Sequence, residues 1–194
     1  MHDGPEQSGP FVFFAVTART GVRGMRRRRM LRSAFEDPRM DYIVSGLPLA
    51  PFAPLFGLDA TALAVHGARR VMADARPGYP CRVSLEDAAP GESLLLLCWR
   101  HLDGDTPYRS DGPIFVREAA TASARFRNAI PEQQRGRLLS VRAYDGHGGM
   151  RDADVVEGIA LEALVGRFFA DPAVAFLHVH NARRGCYACR IDRG

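Results

Sequence analysis

The chain has 194 residues, 46% of them hydrophobic, which suits one globular domain and is too apolar for a disordered protein. All 26 basic residues are arginine, and the net charge of +4 lies at one end: residues 1–39 hold eight arginines and four acidic residues, residues 40–194 hold 18 of each. The sequence pI of about 9.2 is therefore no argument for nucleic-acid binding by the folded part, and the longest apolar runs, Phe11–Val16 and Leu94–Trp99, are far short of the ~18–20 residues that span a bilayer.

Residues 1–39 show neither helical nor strand periodicity and contain the run Arg26-Arg27-Arg28-Arg29. They are expected to be a disordered basic extension. Two readings stay open: a basic tail for nucleic acid or an acidic membrane, or a start assigned too far upstream, with Met40 opening the true chain. The arginines follow the apolar stretch instead of preceding it, so the segment is a poor signal peptide. The protein accordingly reads as cytoplasmic, with no membrane partner and four cysteines present as free thiols.

From Met40 onward the pattern alternates strands and short helices. Asp59 is a good N-cap for a helix over Ala60–His66, with Gly67 just past its end. Arg69–Asp74 reads as a strand, Arg76–Pro80 as a turn and Cys81–Leu85 as a short strand. Ser93–Leu102 is the strongest strand, its apolar run implying a central position buried on both faces. Pro113–Arg117 follows as a strand, Glu118–Arg127 as a helix and Pro131–Gly136 as a short helix. Leu138–Asp145 and Met150–Val155 form a hairpin across Gly146-His147-Gly148-Gly149. Leu161, Leu164, Val165 and Phe168 recur at helical spacing, so Glu157–Ala170 is an amphipathic helix. Ala173–Asn181 and Cys186–Ile191 close the chain as a hairpin. This order predicts a single α+β domain over residues 40–194, with a mostly antiparallel sheet and a few short helices. A domain of that size needs no metal or disulfide to fold.

The closing hairpin concentrates the reactive groups. His178 and His180 share one strand face, and a loop centred on Arg183-Arg184 pairs His178 with Cys189, His180 with Tyr187 and Asn181 with Cys186. His178, His180 and Cys189 are then the form a zinc site with an open position would take, although no metal ligand is assigned on sequence alone. The other reading is a thiol-rich aromatic strand pair packed on the core. Cys81 beside Arg82 is a candidate nucleophile or a small buried residue at a strand start. Arg109, in the polar loop Pro107–Pro113, is a candidate clamp for an anionic group or an ordinary surface arginine. Arg142 and Tyr144 share a strand face that either lines a pocket or meets solvent. Phosphate-binding Gly-rich loops, a nucleophile elbow and a paired-histidine zinc helix are all missing from the sequence.

Five blocks carry a resemblance. Ser45-Gly46-Leu47-Pro48 with Pro51-Phe52, Tyr79-Pro80-Cys81-Arg82, Gly112-Pro113-Ile114-Phe115-Val116, Arg142-Ala143-Tyr144-Asp145, and His178-Val179-His180-Asn181 with Gly185-Cys186-Tyr187 occur in that order. The sequence from Met40 resembles a bacterial family catalogued as domain of unknown function 1203. The resemblance places Cys81, His178, His180 and Cys186 on family positions and leaves Cys189 unrestricted. It implies no activity. The expected site is a small-molecule site with Cys81, His178 and His180 in catalytic roles and Arg82, Arg109, Asn181 and Cys186 binding a small anionic ligand. An enzyme working through a thiol or a histidine base is one reading; a non-catalytic binding module using the same surface is the other.

Overall fold

The computed structural model describes residues 41–194. In chain order its strands are β1 (Tyr42–Ser45), β2 (Arg69–Met72), β3 (Ser93–Leu102), β4 (Ser110–Arg117), β5 (Arg125–Arg127), β6 (Leu138–Tyr144), β7 (Met150–Glu157), β8 (Phe176–Asn181) and β9 (Tyr187–Arg193). The helices are α1 (Ala60–Val65), α2 (Glu132–Arg135) and α3 (Leu161–Phe169), with short 3₁₀ turns at Ala53–Leu55 and Gly158–Ala160. Six strands form one sheet in the order β5-β1-β9-β8-β6-β7, and β2-β3-β4 form a second. Every pairing is antiparallel, as the α+β expectation required.

The period-2 pattern decides the layers. Leu139, Val141 and Ala143 of β6 and Leu177 and Val179 of β8 point to one face, where α3 lays down Leu161, Leu164, Val165, Phe168 and Phe169. The alternate residues point to the other face, which meets the smaller sheet. There Tyr187 packs with Leu95, Leu97 and Ile114, and Leu102 packs with Tyr144 and Phe176. The result is helix, six-stranded sheet and three-stranded sheet, in that order.

Local signals explain most elements. Asp59 caps α1, its Oδ1 accepting from the Ala62 N–H at 2.8 Å, and Gly67 follows with φ of 63°. Pro131 takes the cap position of α2, one place earlier than expected. The β6–β7 hairpin forms across the glycine turn.

Three expectations are corrected. Glu118–Arg127 is not helical; after a turn its last three residues are β5, paired to the edge of β1. Cys81–Leu85 is not a strand. Its backbone is shared among three segments (Arg82 N–H to Phe115 O, Leu47 N–H to Arg82 O, Ala124 N–H to Val83 O), so no ladder propagates. The strand β3 is central, but in the smaller sheet, and its Cys98 and Arg100 face solvent. The expectation for residues 1–39 falls outside the described residues.

Candidate functional site

Alternation along β8 puts His178 and His180 on the face turned towards the smaller sheet, between Phe176 and the end of the strand. Both are about 1% exposed. The hairpin loop holds Arg183 and Arg184 as expected, and His180 pairs with Tyr187, but His178 pairs with Arg190 and Cys189 with Val179. The cause is a bulge: β9 carries one extra residue, Ala188, opposite the Val179–His180 step. Ala188 and Cys189 therefore both join the α3 side of the sheet. Burial there pushes the Cys189 thiol up to about 12. The grouping of Cys189 with the two histidines is overturned.

A different third residue takes that place. Leu95, Leu97, Trp99 and His101 alternate on the inner face of β3, and His101 reaches the two histidines from the opposing sheet. Its ring centroid lies 5.8 Å from His178 and 5.1 Å from His180, and it stacks on Tyr187 at 4.9 Å. Each of the three residues offers one ligand nitrogen, and these nitrogens lie within 4.8 Å of one another. Among the described residues this is the group of His, Cys, Asp or Glu side chains able to hold a metal ion.

Each ring keeps one buried nitrogen without a hydrogen-bond partner of good geometry. His180 Nδ1–H donates to the Gly185 carbonyl at 3.2 Å, which makes Nε2 the lone-pair nitrogen, and that atom has no partner. His101 Nε2 lies 3.1 Å from Ser110 Oγ, while its buried Nδ1 has no hydrogen bond of good geometry. His178 Nδ1 is likewise buried without a partner. Burial holds all three rings neutral, pushing His178 down to about 2 and His180 to about 3 and lowering His101. A positive charge on His101 would act in the same direction on His178, as do the guanidinium charges of Arg190 on His178 and of Arg142 on His180. A backbone hydrogen bond with Trp99 opposes burial and favours the charged form of His101. Neutral imidazoles with free lone pairs are the ligating form.

Arg142 sits directly across from His178 on β6 and acts electrostatically on all three histidines. It is half-buried and has no carboxylate partner among the described residues. Arg190, on the other side of His178, pairs with Asp192 at 2.8 Å and lies 3.8 Å over the Phe176 ring.

The remaining sequence candidates divide among three places. Cys81 is fully buried, and its sulfur accepts from the backbone N–H groups of Val83, Ser84 and Arg117 at 3.3–3.4 Å. Among the described residues it makes no hydrogen bond to a histidine; Tyr187, which touches all three imidazole rings, belongs to the same apolar cluster as Cys81. Arg82, Asn181 and Cys186 instead gather at a cleft of about 1180 Å³. Arg82 Nη2 donates to Cys186 Sγ at 3.0 Å and Asn181 Nδ2 donates to the same sulfur at 3.4 Å. Arg109 lies on the surface, paired with Asp103 at 3.2 Å.

His101 escaped the sequence reading because its partners lie some 80 residues away along the chain, in another sheet. One signal was present: a histidine continuing the apolar parity of Leu95, Leu97 and Trp99 at the end of a buried strand.

A family model matches residues 78–193, which include His101, His178, His180, Cys81, Arg82 and Cys186. That span is more than half of the chain. The chain belongs to the family Protein of unknown function (DUF1203). The DUF1203 match begins after β2, so the block around Ser45–Pro48 precedes it. Neither the curated proteins nor the solved structures provide a match. Among the described residues, no helix is long and apolar enough to cross a membrane.

Proposed function

We propose that this protein is a metal-binding protein in which His101, His178 and His180 hold a divalent transition-metal ion, zinc first among them, with a coordination position left open for a small anionic molecule. One observation carries the reading: three histidines each offer a nitrogen within 4.8 Å of the others, and each ring keeps a buried nitrogen without a hydrogen-bond partner of good geometry. Buried polar atoms are satisfied in the great majority of cases, so three together call for a ligand. The outer nitrogens support it, because His180 donates to the Gly185 carbonyl and His101 meets Ser110, the outer contacts that orient metal-binding histidines. A tetrahedral zinc ion keeps its nitrogens about 3.4 Å apart, so small ring rotations bring the set together.

Three protein ligands and one open position are the arrangement of catalytic zinc sites, whereas structural sites are closed by four. A metal there lowers the pKa of bound water and polarises a bound oxygen. Three neutral imidazoles leave the ion's charge uncompensated, and Arg142, without a carboxylate partner among the described residues, adds to it. Charge balance thus favours an anionic oxygen donor at the open position, with Arg142 placed to hold it. The reading belongs with a cytoplasmic bacterial protein, in which the four cysteines remain thiols.

Zinc and cobalt(II) titrations followed by calorimetry test it. One equivalent is expected to bind, and cobalt is expected to give the intense visible absorption of a four-coordinate site. Binding should fall at least 10-fold in His101→Ala and be lost in a His178→Ala, His180→Ala double variant that keeps its circular dichroism. A folded wild-type chain that binds neither metal at millimolar concentration would sink the metal reading. The three rings would then be an aromatic packing block under Tyr187, and the protein a non-catalytic module.

A further inference from the structure

Arg82 presents a charge that the fold does not balance. The residue is 1% exposed, and its guanidinium donates to the Tyr187 carbonyl at 2.7 Å, the Pro80 carbonyl and Cys186 Sγ. No carboxylate contacts it among the described residues. Burial lowers its pKa. A buried, unpaired ion costs several kcal/mol even after the surroundings relax, and carbonyl dipoles recover only part of that. The group able to supply a full negative charge within hydrogen-bond distance of this guanidinium is the Cys186 sulfur.

Three further features bear on that sulfur. Asn181 Nδ2 is a second N–H donor aimed at it. It is half-buried and lines the cleft of about 1180 Å³, so solutes reach it. Arg183 and Arg184, exposed in the β8–β9 loop, line the same cleft. Five acidic residues also line it, Asp74, Glu86, Asp87, Glu132 and Glu157, equal in number to its arginines, but Asp87 is met by Arg137 at 2.6 Å and Glu86 by Arg117 at 2.5 Å, and Arg183 and Arg184 stand in the same loop as the thiol. The other thiols lack this combination: Cys81 and Cys189 are fully buried, and Cys98 is exposed on β3, apart from the cleft.

We propose that Cys186 is a nucleophilic thiol, activated by Arg82 and Asn181, that reacts with small electrophiles carrying a negative charge. The thiol is not one of the histidine ligands, and its reaction does not rest on metal binding, although Arg82 also acts electrostatically on His180. In the reaction the sulfur lone pair forms a bond to an electrophilic carbon, the leaving group departs with the electron pair of the broken bond, and the thiol proton goes to solvent. Arg82 stabilises negative charge on the sulfur as it attacks. Arg183 and Arg184 concentrate anions at the mouth of the cleft.

Iodoacetate and iodoacetamide test both parts of this, since they alkylate by the same displacement of iodide and differ in charge. The full chain is treated with each at neutral pH under reducing conditions, quenched over time and mapped by peptide mass spectrometry, with Cys98 as the exposed internal reference. Cys186 is expected to react about 10-fold faster than Cys98. Its iodoacetate-to-iodoacetamide rate ratio should exceed that of Cys98 by about three-fold or more, and fall to the Cys98 value in Arg183→Gln, Arg184→Gln. Those two substitutions are at exposed positions and leave the fold intact. Alkylation of Cys186 no faster than Cys98 in the wild-type chain would overturn the proposal. Equal ratios at the two cysteines would overturn the preference for anionic substrates.

Discussion

Glu118 shows how one side chain ties separate segments together. Its carboxylate accepts from Arg70 Nε and Nη2, both at 2.8 Å, from the Gly57 N–H at 3.1 Å and from the Ser93 hydroxyl. The bidentate guanidinium leads these in holding the carboxyl down to about 2. Its unfolded value is about 4.3, so the folded state binds the proton more weakly. The stabilisation is complete above about pH 4.3 and is lost as pH falls through about 2. After solvent screening it amounts to about 1–2 kcal/mol. Glu118→Gln should therefore lower stability by that amount at pH 7, and the difference from wild type should vanish near pH 2. Denaturant unfolding across that range measures it; a difference that persists at pH 2 would show that the carboxylate charge is not the cause. At this same scale much of the site could be read in advance. Parity on one strand placed His178 and His180 together, and pairing brought Asn181 to Cys186. The extra residue in β9 could not be read, because a bulge is a choice between two pairings of nearly equal local energy that the surrounding core settles.

Elements were legible where local signals agreed with tertiary need. The helical spacing of Leu161, Leu164, Val165 and Phe168 and the glycine turn before β7 both pointed to what formed. Glu118–Arg127 failed for the opposite reason. Its alanines favour a helix, but β1 has a free edge whose N–H and C=O groups need partners, and β5 supplies them. Two glycines beside α3 make the balance testable. Gly158 lies against α2, donates its N–H to Arg137 O at 2.8 Å, and has no room for a Cβ, which would run into the Gln134 carbonyl. Gly166, inside α3, has open space where a Cβ would go. Gly158→Ala should destabilise by about 1–3 kcal/mol through overpacking. Gly166→Ala should stabilise by roughly 0.5–1 kcal/mol through helix propensity. Chemical denaturation distinguishes them; equal effects of the two substitutions would contradict the close packing of Gly158 on α2.

At the scale of the whole molecule, the candidate metal centre is a seam. His101 comes from the three-stranded sheet and His178 and His180 from the six-stranded one, while Tyr187 belongs to the apolar packing between them. The seam is otherwise held by two apolar clusters, a larger one that includes Tyr187 and a small one of Leu102, Tyr144 and Phe176. A ligand bound by both sheets stabilises the folded state over any state in which they part. At a free zinc concentration 100 times the dissociation constant the gain is about 2.7 kcal/mol. For a domain of this size that corresponds to a rise in Tm of roughly 5–10 °C. His101→Ala removes a half-buried ring at the end of β3 and one of the three ligands, so it should leave the metal-free Tm within a few degrees of wild type while abolishing most of the zinc-dependent rise. Hydrogen exchange adds the spatial readout: zinc should slow exchange at the ends of β3 and β8 together. Protection confined to β8 would mean that the ion is held by the six-stranded sheet alone and that His101 is not a ligand. Protection of both strands in the wild-type chain but not in His101→Ala would establish that the metal joins the two sheets.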